Sequence, residues 1–382
     1  MAEPKQPLYQ VIFGTYEKKI LSGTLAPGDK LPTEMEIAAE FGVSRITATR
    51  ALKELELRAY IRRVQGSGSY VNNRDWEAAE ASRTGRLSII SLVLPFGGTA
   101  SFEMLKGVED VARERDYFVT FHNSSHDPTV ERRTIEDIVA RGSHGVILYP
   151  TFIGENMDLY SGLLIDTYPF VLIDHRLPGL EMPFVSADNR RGFYDVTCHL
   201  FDLGHQRIVM AASDVLSVSS EKERYDGFCR AHLDRGIPLR QEHLYGRKDL
   251  ASAPADYRPD QSPERRGIHY LFDRFQALPS EDRPTAIAAV NDAVAREILA
   301  VALERGISVP RDISVSGFDD LPFAAHLSVP LTTVAQPMEE IGRTAAEELF
   351  NSIGTPGGEP TERRVPCPLI IRESTAACIR SG

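Results

Sequence analysis

Residues 31–52 read Leu31-Pro-Thr-Glu-Met-Glu-Ile-Ala-Ala-Glu-Phe-Gly-Val-Ser-Arg-Ile-Thr-Ala-Thr-Arg-Ala-Leu52. The stretch predicts two short helices joined at Gly42. Pro32 and Thr33 open the first helix, and Thr33 with Glu36 forms a Thr-x-x-Glu capping box. Ile37, Ala38 and Phe41 recur at helical spacing. Gly42 supplies the left-handed residue that ends a helix, and Ser44 caps the next one. On the second helix Ala48, Ala51, Leu52 and Leu55 share one side, Ile46, Arg50 and Lys53 the other, with Thr49 at the flank. A helix pair with cations and hydroxyls outward near its N-terminal end has the pattern of a helix-turn-helix, whose second helix enters the DNA major groove.

The flanks extend this reading. Tyr60 to Val71 offers two strand-like runs around Gln65-Gly-Ser-Gly68, a basic hairpin placed as a wing. Upstream, Leu8, Val11, Ile12, Ile20 and Leu21 suggest an apolar helical stripe ending near Gly23, followed by a Pro27-Gly28 turn. In order, Pro7-Leu-Tyr-Gln, Gly23-Thr-Leu-Ala-Pro-Gly-Asp-Lys-Leu-Pro-Thr-Glu, Gly42-Val-Ser-Arg and Gln65-Gly-Ser-Gly resemble the GntR-family winged helix-turn-helix across residues 5–72. The resemblance implies DNA contact by Ser44, Arg45, Thr47 and Gly66, within an expected set completed by Thr33, Glu34, Met35, Ile46, Thr49, Arg50 and Gln65. Met35 and Thr49 depart from the arginines common in that family, which bears on base preference. A protein–protein winged helix is the alternative for this module. The Gly-x-Gly of the wing opens no helix and is no dinucleotide fingerprint.

Charge separates this head from the rest. Residues 1–75 hold 11 Lys+Arg and 9 Asp+Glu, whereas the whole chain of 382 residues holds 43 and 54, for a net charge of −11. A slightly basic head on an acidic body confines DNA contact to the head. No apolar run reaches membrane-spanning length, and the N-terminus lacks the apolar core of a signal peptide, so a cytoplasmic location is expected. The four cysteines (Cys198, Cys229, Cys367, Cys378) have no paired spacing, which favours reduced thiols and argues against a metal or other cofactor. Residues 73–86 read as a linker, with Trp76 packed on a neighbouring domain rather than functional.

From residue 87 the chain alternates strands and helices. Leu87–Leu94, Tyr117–Phe121, Gly145–Tyr149 and Phe170–Asp174 read as strands, with helices over Phe102–Arg115 and Glu131–Arg141 between them. The rhythm restarts with Arg207–Ala211, Thr285–Val290 and Ile313–Gly317. The fold class is therefore α/β: a winged head followed by a two-lobed body of parallel sheets, with a ligand cleft beyond the C-terminal strand ends. The expected division is a head over 1–72, the linker over 73–86, and a body over 87–382. Its first lobe takes 87–187 and 336–356, its second 188–335 and 357–382.

Polar groups gather at these strand ends. Asp174 and Arg176 follow one strand, Asn291 and Asp292 another, and Asp319 and Asp320 a third; Arg224 precedes Tyr-Asp-Gly-Phe228. Asp292 reads first as a helix cap and Asp320 as a turn former, while Arg224 has a structural ion pair as its alternative; Asn291 and Asp319, at strand ends facing the cleft, are the better candidates. Phe102, Tyr149 and Phe318 are candidate stacking platforms for a sugar ring, each of which could instead be core. Gly107-Val-Glu, Val185-Ser-Ala-Asp-Asn189, Leu203-Gly-His-Gln-Arg-Ile208, Glu223-Arg-Tyr-Asp-Gly-Phe228, Asn291-Asp292, Asp312 to Asp320 and Pro330-Leu-Thr-Thr-Val334 together resemble the effector domain of LacI/GalR repressors over residues 86–378. That domain is similar to periplasmic sugar-binding proteins. The resemblance implies effector contacts from Arg224, Asn291 and Asp319, with Asp174 and the Thr99–Phe102 loop closing the other side. The loop Gly97-Gly-Thr-Ala-Ser-Phe102 and the polar stretch 247–266 depart from the family pattern.

The pairing of these two modules implies a homodimeric transcriptional repressor. It would bind a double-stranded operator and be released by a small sugar, a pentose such as arabinose first among candidates. A purine effector is the alternative within the class. An enzyme lacks support, since no nucleophile elbow, Walker loop or His-Glu-x-x-His is present, and His122 and His126 read as surface residues. A transport binding protein does not fit the DNA-reading head.

Overall fold

The computed structural model describes residues 8–58, 60–64, 67–72, 87–151, 154–212, 218–240, 243–245, 257–258, 262–355 and 357–379. The linker span 73–86, with Trp76, and the wing-tip residues Gln65 and Gly66 lie outside them. The chain divides into two compact units, one holding the first 88 residues and the other nearly all that follow.

The head is three helices and a hairpin: α1 (Leu8–Leu21), α2 (Glu34–Phe41), α3 (Arg45–Leu57), β1 (Ile61–Val64) and β2 (Gly68–Val71). The capping box at α2 forms as the sequence predicts. The Thr33 side chain accepts from the Glu36 amide, and the Glu36 carboxylate accepts from the Thr33 amide at 2.7 Å. Gly42 ends α2 at φ 62°, and the Ser44 hydroxyl accepts from the Thr47 amide. Ala48, Ala51, Leu52 and Leu55 are all buried. The α1 stripe differs from expectation: Leu8, Val11 and Leu21 are exposed, and Ile12, Phe13, Tyr16 and Ile20 face the core. The two aromatics decide the helix's rotation, because each buries a large apolar ring while keeping its hydroxyl satisfied or avoiding one altogether. The Tyr16 hydroxyl donates to Glu40 at 2.9 Å. The hairpin pairs antiparallel in the register Ile61 with Val71 to Val64 with Gly68.

In the body, β3 (Ile89–Leu94), α4 (Thr99–Arg113), β4 (Phe118–Asn123), α5 (Pro128–Ala140), β5 (Val146–Leu148), α6 (Met157–Ile165), β6 (Phe170–Ile173) and β7 (Phe184–Ala187) build the first lobe. Then α7 (Asn189–Asp202), β8 (Ile208–Ala211), α8 (Ser219–Asp234), β9 (Leu244–Tyr245), α9 (Pro263–Ala277), β10 (Ala286–Ala289), α10 (Asp292–Glu304) and β11 (Ser314–Ser316) build the second. The chain closes with β12 (Thr333–Val334), α11 (Met338–Gly354), β13 (Glu362–Val365) and β14 (Leu369–Ile370). The first sheet runs β13-β7-β6-β5-β3-β4 and the second β11-β10-β8-β9, while β12 and β14 pair antiparallel. Residues 362–365, expected in the second lobe, instead extend the first lobe's sheet by pairing parallel with β7. An isolated four-residue strand carries no sign of which sheet will accept its edge.

Alternation along the strands feeds a layer on each face of the second sheet. Ile208, Met210, Ala286 and Ala288 pack against α7 and α8, whereas Val209, Ala211, Ile287 and Ala289 pack against α9 and α10. In the first lobe α4 and α11 cross at Gly107, where a β-carbon would lie 1.9 Å from the Glu339 carbonyl oxygen. That near-contact of backbones needs a residue without a side chain. Among the described residues no helix is long and apolar enough to cross a membrane.

Candidate functional site

The head presents the exposed side of α3 beside the wing. Ile46 is 81% exposed and Met35 70%. Arg45 is held by Glu34 at 3.1 Å, and the same carboxylate pairs with Arg63 of β1. The hydrogen bond from Arg63, with that from Arg45, holds the Glu34 carboxyl below the usual carboxylate range. Glu34 therefore ties α2 to the start of α3 and to the wing, and a cavity of about 560 Å³ opens between these three elements. Thr47 shares a hydrogen bond with Ser44 at 2.9 Å, and Thr49 donates to the Arg45 carbonyl at 2.8 Å. Arg50 leans the other way, its guanidinium 3.9 Å from the Tyr9 ring of α1. Arg45 and Arg63 are thus held side by side by one carboxylate, and Arg50 stands apart from them.

In the body, the C-terminal ends of β3, β5 and β6 face the segment that follows β11 and the end of β12 across a cavity of about 380 Å³, within the range of small-molecule sites. On one wall the Tyr149 hydroxyl donates to Asp174 at 2.6 Å, and His175 Nε2 lies 3.2 Å from the same carboxylate. The Phe96 ring meets Tyr149 edge to face at 5.3 Å. Burial and the Asp174 charge raise the Tyr149 phenol well above its usual range, so it stays a donor. On the opposite wall Asp319 accepts from the Gln336 amide at 2.7 Å and faces Arg224 at 3.3 Å. Burial pushes the Asp319 carboxyl up, and Arg224 pulls it back. Arg224 is itself buried over the Phe318 ring at 3.9 Å, donating to Asn189 at 2.9 Å and to the Val290 carbonyl at 2.8 Å. Two carboxylates opposite each other, each steadied by a donor, offer paired acceptors to a polyol, and Phe96 and Phe323 add flat apolar surface.

Of the expected cleft residues, Tyr149, Asp174 and Asp319 line the cavity and Arg224 stands behind Asp319. Four do not come together there. Phe102 is 67% exposed, because Thr99 begins α4 and places residue 102 on its outer side; Phe96 takes the aromatic place. Arg176 turns away to pair with Glu362, its guanidinium 4.3 Å from the Phe184 ring. Asn291 caps α10, its side-chain oxygen accepting from the Val294 amide at 2.9 Å, and Asp292 follows inside the helix. Phe318 is fully buried and stacked against Phe193, a core ring rather than a platform. Gln336, His175 and Asn189 were missed as site residues. The one signal for Gln336 is its position just past the Thr-Thr-Val334 strand.

Comparison with known proteins assigns both modules. Residues 8–71 match the bacterial regulatory proteins of the gntR family, residues 90–256 the periplasmic binding proteins and sugar binding domain of the LacI family, and residues 197–375 a periplasmic binding protein-like domain. The arabinose metabolism transcriptional repressor of Geobacillus stearothermophilus is 32% identical over 98% of this chain and 99% of its own length. Its counterpart in Halalkalibacterium halodurans is 29% identical over 96% of each. The crystal structure of a LacI family transcriptional regulator from Mycobacterium smegmatis matches with a TM-score of 0.62 and 26% identity over 75% of this chain and 99% of that one. The chain belongs to the family of bacterial transcriptional regulators that join a GntR winged helix-turn-helix to a LacI-type effector domain.

Proposed function

We propose that this regulator represses carbohydrate-utilisation genes and is released from its operator by a small uncharged sugar, with a pentose such as arabinose the first choice. The observation that carries the reading is the opposed pair of carboxylate acceptors lining the cleft, Asp174 with Tyr149 and Asp319 with Arg224 and Gln336. The full-length similarity to proteins named as arabinose metabolism repressors supports the pentose. Two carboxylates against one guanidinium disfavour phosphorylated or acidic ligands, whose charge would meet like charge without water.

In this reading Ser44, Arg45, Ile46, Thr47 and Thr49 meet DNA from the start of α3. Thr33, Glu34 and Met35 flank them, with Gln65 and Gly66 of the wing, and Arg50 serves the sugar-phosphate backbone. Two heads of a cytoplasmic homodimer engage two half-sites. Sugar draws the lobes together, and a differential affinity of about 1–3 kcal/mol suffices to shift operator occupancy several-fold.

Calorimetry of the full chain against L-arabinose, D-ribose, D-galactose, arabinose 5-phosphate and hypoxanthine tests the effector class. Selection from a genomic library, repeated with the bound ligand present, tests release. Binding of L-arabinose with loss of selected DNA is expected. Hypoxanthine binding without any sugar would overturn the reading.

A further inference from the structure

One buried carboxylate beneath the cleft has no part in lining it. Asp292, the first residue of α10, is fully buried and absent from the cavity wall. Its amide donates to the Phe318 carbonyl at 2.8 Å. Its Oδ2 accepts from the Leu321 amide at 2.8 Å, and its Oδ1 accepts from the Thr333 hydroxyl at 2.6 Å. One side chain and its own amide therefore hold both ends of the segment 318–321 and fasten it to β12, the strand that leads to Gln336. Between these anchors Asp319 and Asp320 have φ values of 117° and 54°. Non-glycine residues occupy such backbone only where the surroundings over-determine it. The fit is close: a β-carbon on Gly317 would lie 2.3 Å from Asp292 Oδ1.

We infer that Asp292 is the positioning residue of the cleft: it holds the strained Asp319–Asp320 turn and so aims the Asp319 carboxylate at Arg224 and Gln336. The inference rests on the cleft being the effector site. The ionised carboxylate accepts from Leu321 and Thr333 together, whereas a protonated one gives up an acceptor. Burial raises the Asp292 carboxyl to about 7, with Asp319 and Asp320 adding to the rise and the Thr333 and Leu321 donors opposing it. Those two neighbours are themselves paired, Asp319 with Arg224 at 3.3 Å and Asp320 with Arg372 at 2.6 Å. The clamp therefore tightens as pH rises through neutrality, and affinity for effector follows it.

Two measurements on the full chain decide this. Hydrogen exchange of the ligand-free protein compares wild type with D292N and T333V, both of which keep the volume of the site. Exchange over 318–322 about tenfold faster in the variants, with β8 and β10 unchanged, is the expected result; equal exchange over 318–322 overturns the inference. Calorimetry with L-arabinose from pH 8 to pH 6 then reads the charge. Wild type loses affinity several-fold on acidification. D292N binds more weakly and shows a flatter slope than wild type. A wild-type slope in D292N overturns the inference. Failure of wild type to bind any sugar would instead sink the proposed function, and the exchange comparison would still decide the role of Asp292 in holding the turn.

Discussion

The head and the body each place cations and carboxylates on a working surface, but they assemble that surface over different distances. In the head, Thr33, Glu34, Ser44, Arg45 and Arg63 fall within about thirty residues, and a capping box and an α3 cap set most of their geometry. In the body, Tyr149, Asp174, Arg224, Asp319 and Gln336 come from five separate segments spread over nearly two hundred residues. Local hydrogen bonds can organise the first surface. Only completed parallel sheets can organise the second, because parallel strands need long crossovers before any strand ends meet.

Four substitutions would break or sharpen this contrast. Arg224→Ala carries the largest expected effect. It leaves Asp319 without its buried cation and empties the site over Phe318, and removing one partner of a buried pair costs about 3–5 kcal/mol. The midpoint of urea unfolding of the body should fall accordingly; a loss below about 1 kcal/mol would mean the pair is no more than a surface contact. Gly107→Ala comes next. Its methyl meets the Glu339 carbonyl, so α4 and α11 must part, at a cost of about 1–3 kcal/mol in the same measurement. An unchanged midpoint would show that the two helices slide freely.

Thr33→Ala tests the local surface. Losing the capping box should cost the head about 1 kcal/mol, seen in its thermal melt, and leave sugar affinity untouched. Transmission of that change to the cleft would contradict the independence of the two surfaces. Phe102→Ala has the smallest expected effect. Its ring is exposed on α4 outside the cleft, so stability should move by no more than about 0.5 kcal/mol and effector affinity should stay at the wild-type value. A marked loss of affinity would return Phe102 to the site in place of Phe96.

The errors of sequence reading follow the same division. The α3 face and both caps were legible because each depends on residues within four positions of one another. The first helix was turned from its expected rotation because Leu8, Val11 and Leu21 look as apolar as Ile12 and Ile20, yet the rings of Phe13 and Tyr16 claim the core. In the body the strands were legible from their apolar runs, Asp174 and Asp319 from their positions at strand ends, and Tyr149 as an aromatic platform, though its hydroxyl is what reaches Asp174. Phe102, Arg176 and Asn291 were equally well placed by position. Helix phase turns Phe102 outward, Glu362 of β13 draws Arg176 aside, and capping occupies Asn291. Gln336 offered only its place just past β12, and Asp292, though read at a strand end, offered no sign of its anchoring role, since both roles depend on partners 17 and 29 or more residues away.

The sequence by itself determined the modules, the caps of α2 and α3 and the apolar runs of the strands, because each is a short-range pattern of capping, periodicity and turn chemistry. Tertiary structure alone decided which polar side chains share the cleft, which sheet accepts β13, and which buried carboxylate holds the Asp319 turn. These depend on strand order and burial, so a carboxylate that is a solvated cap in one arrangement becomes a desolvated anchor in another.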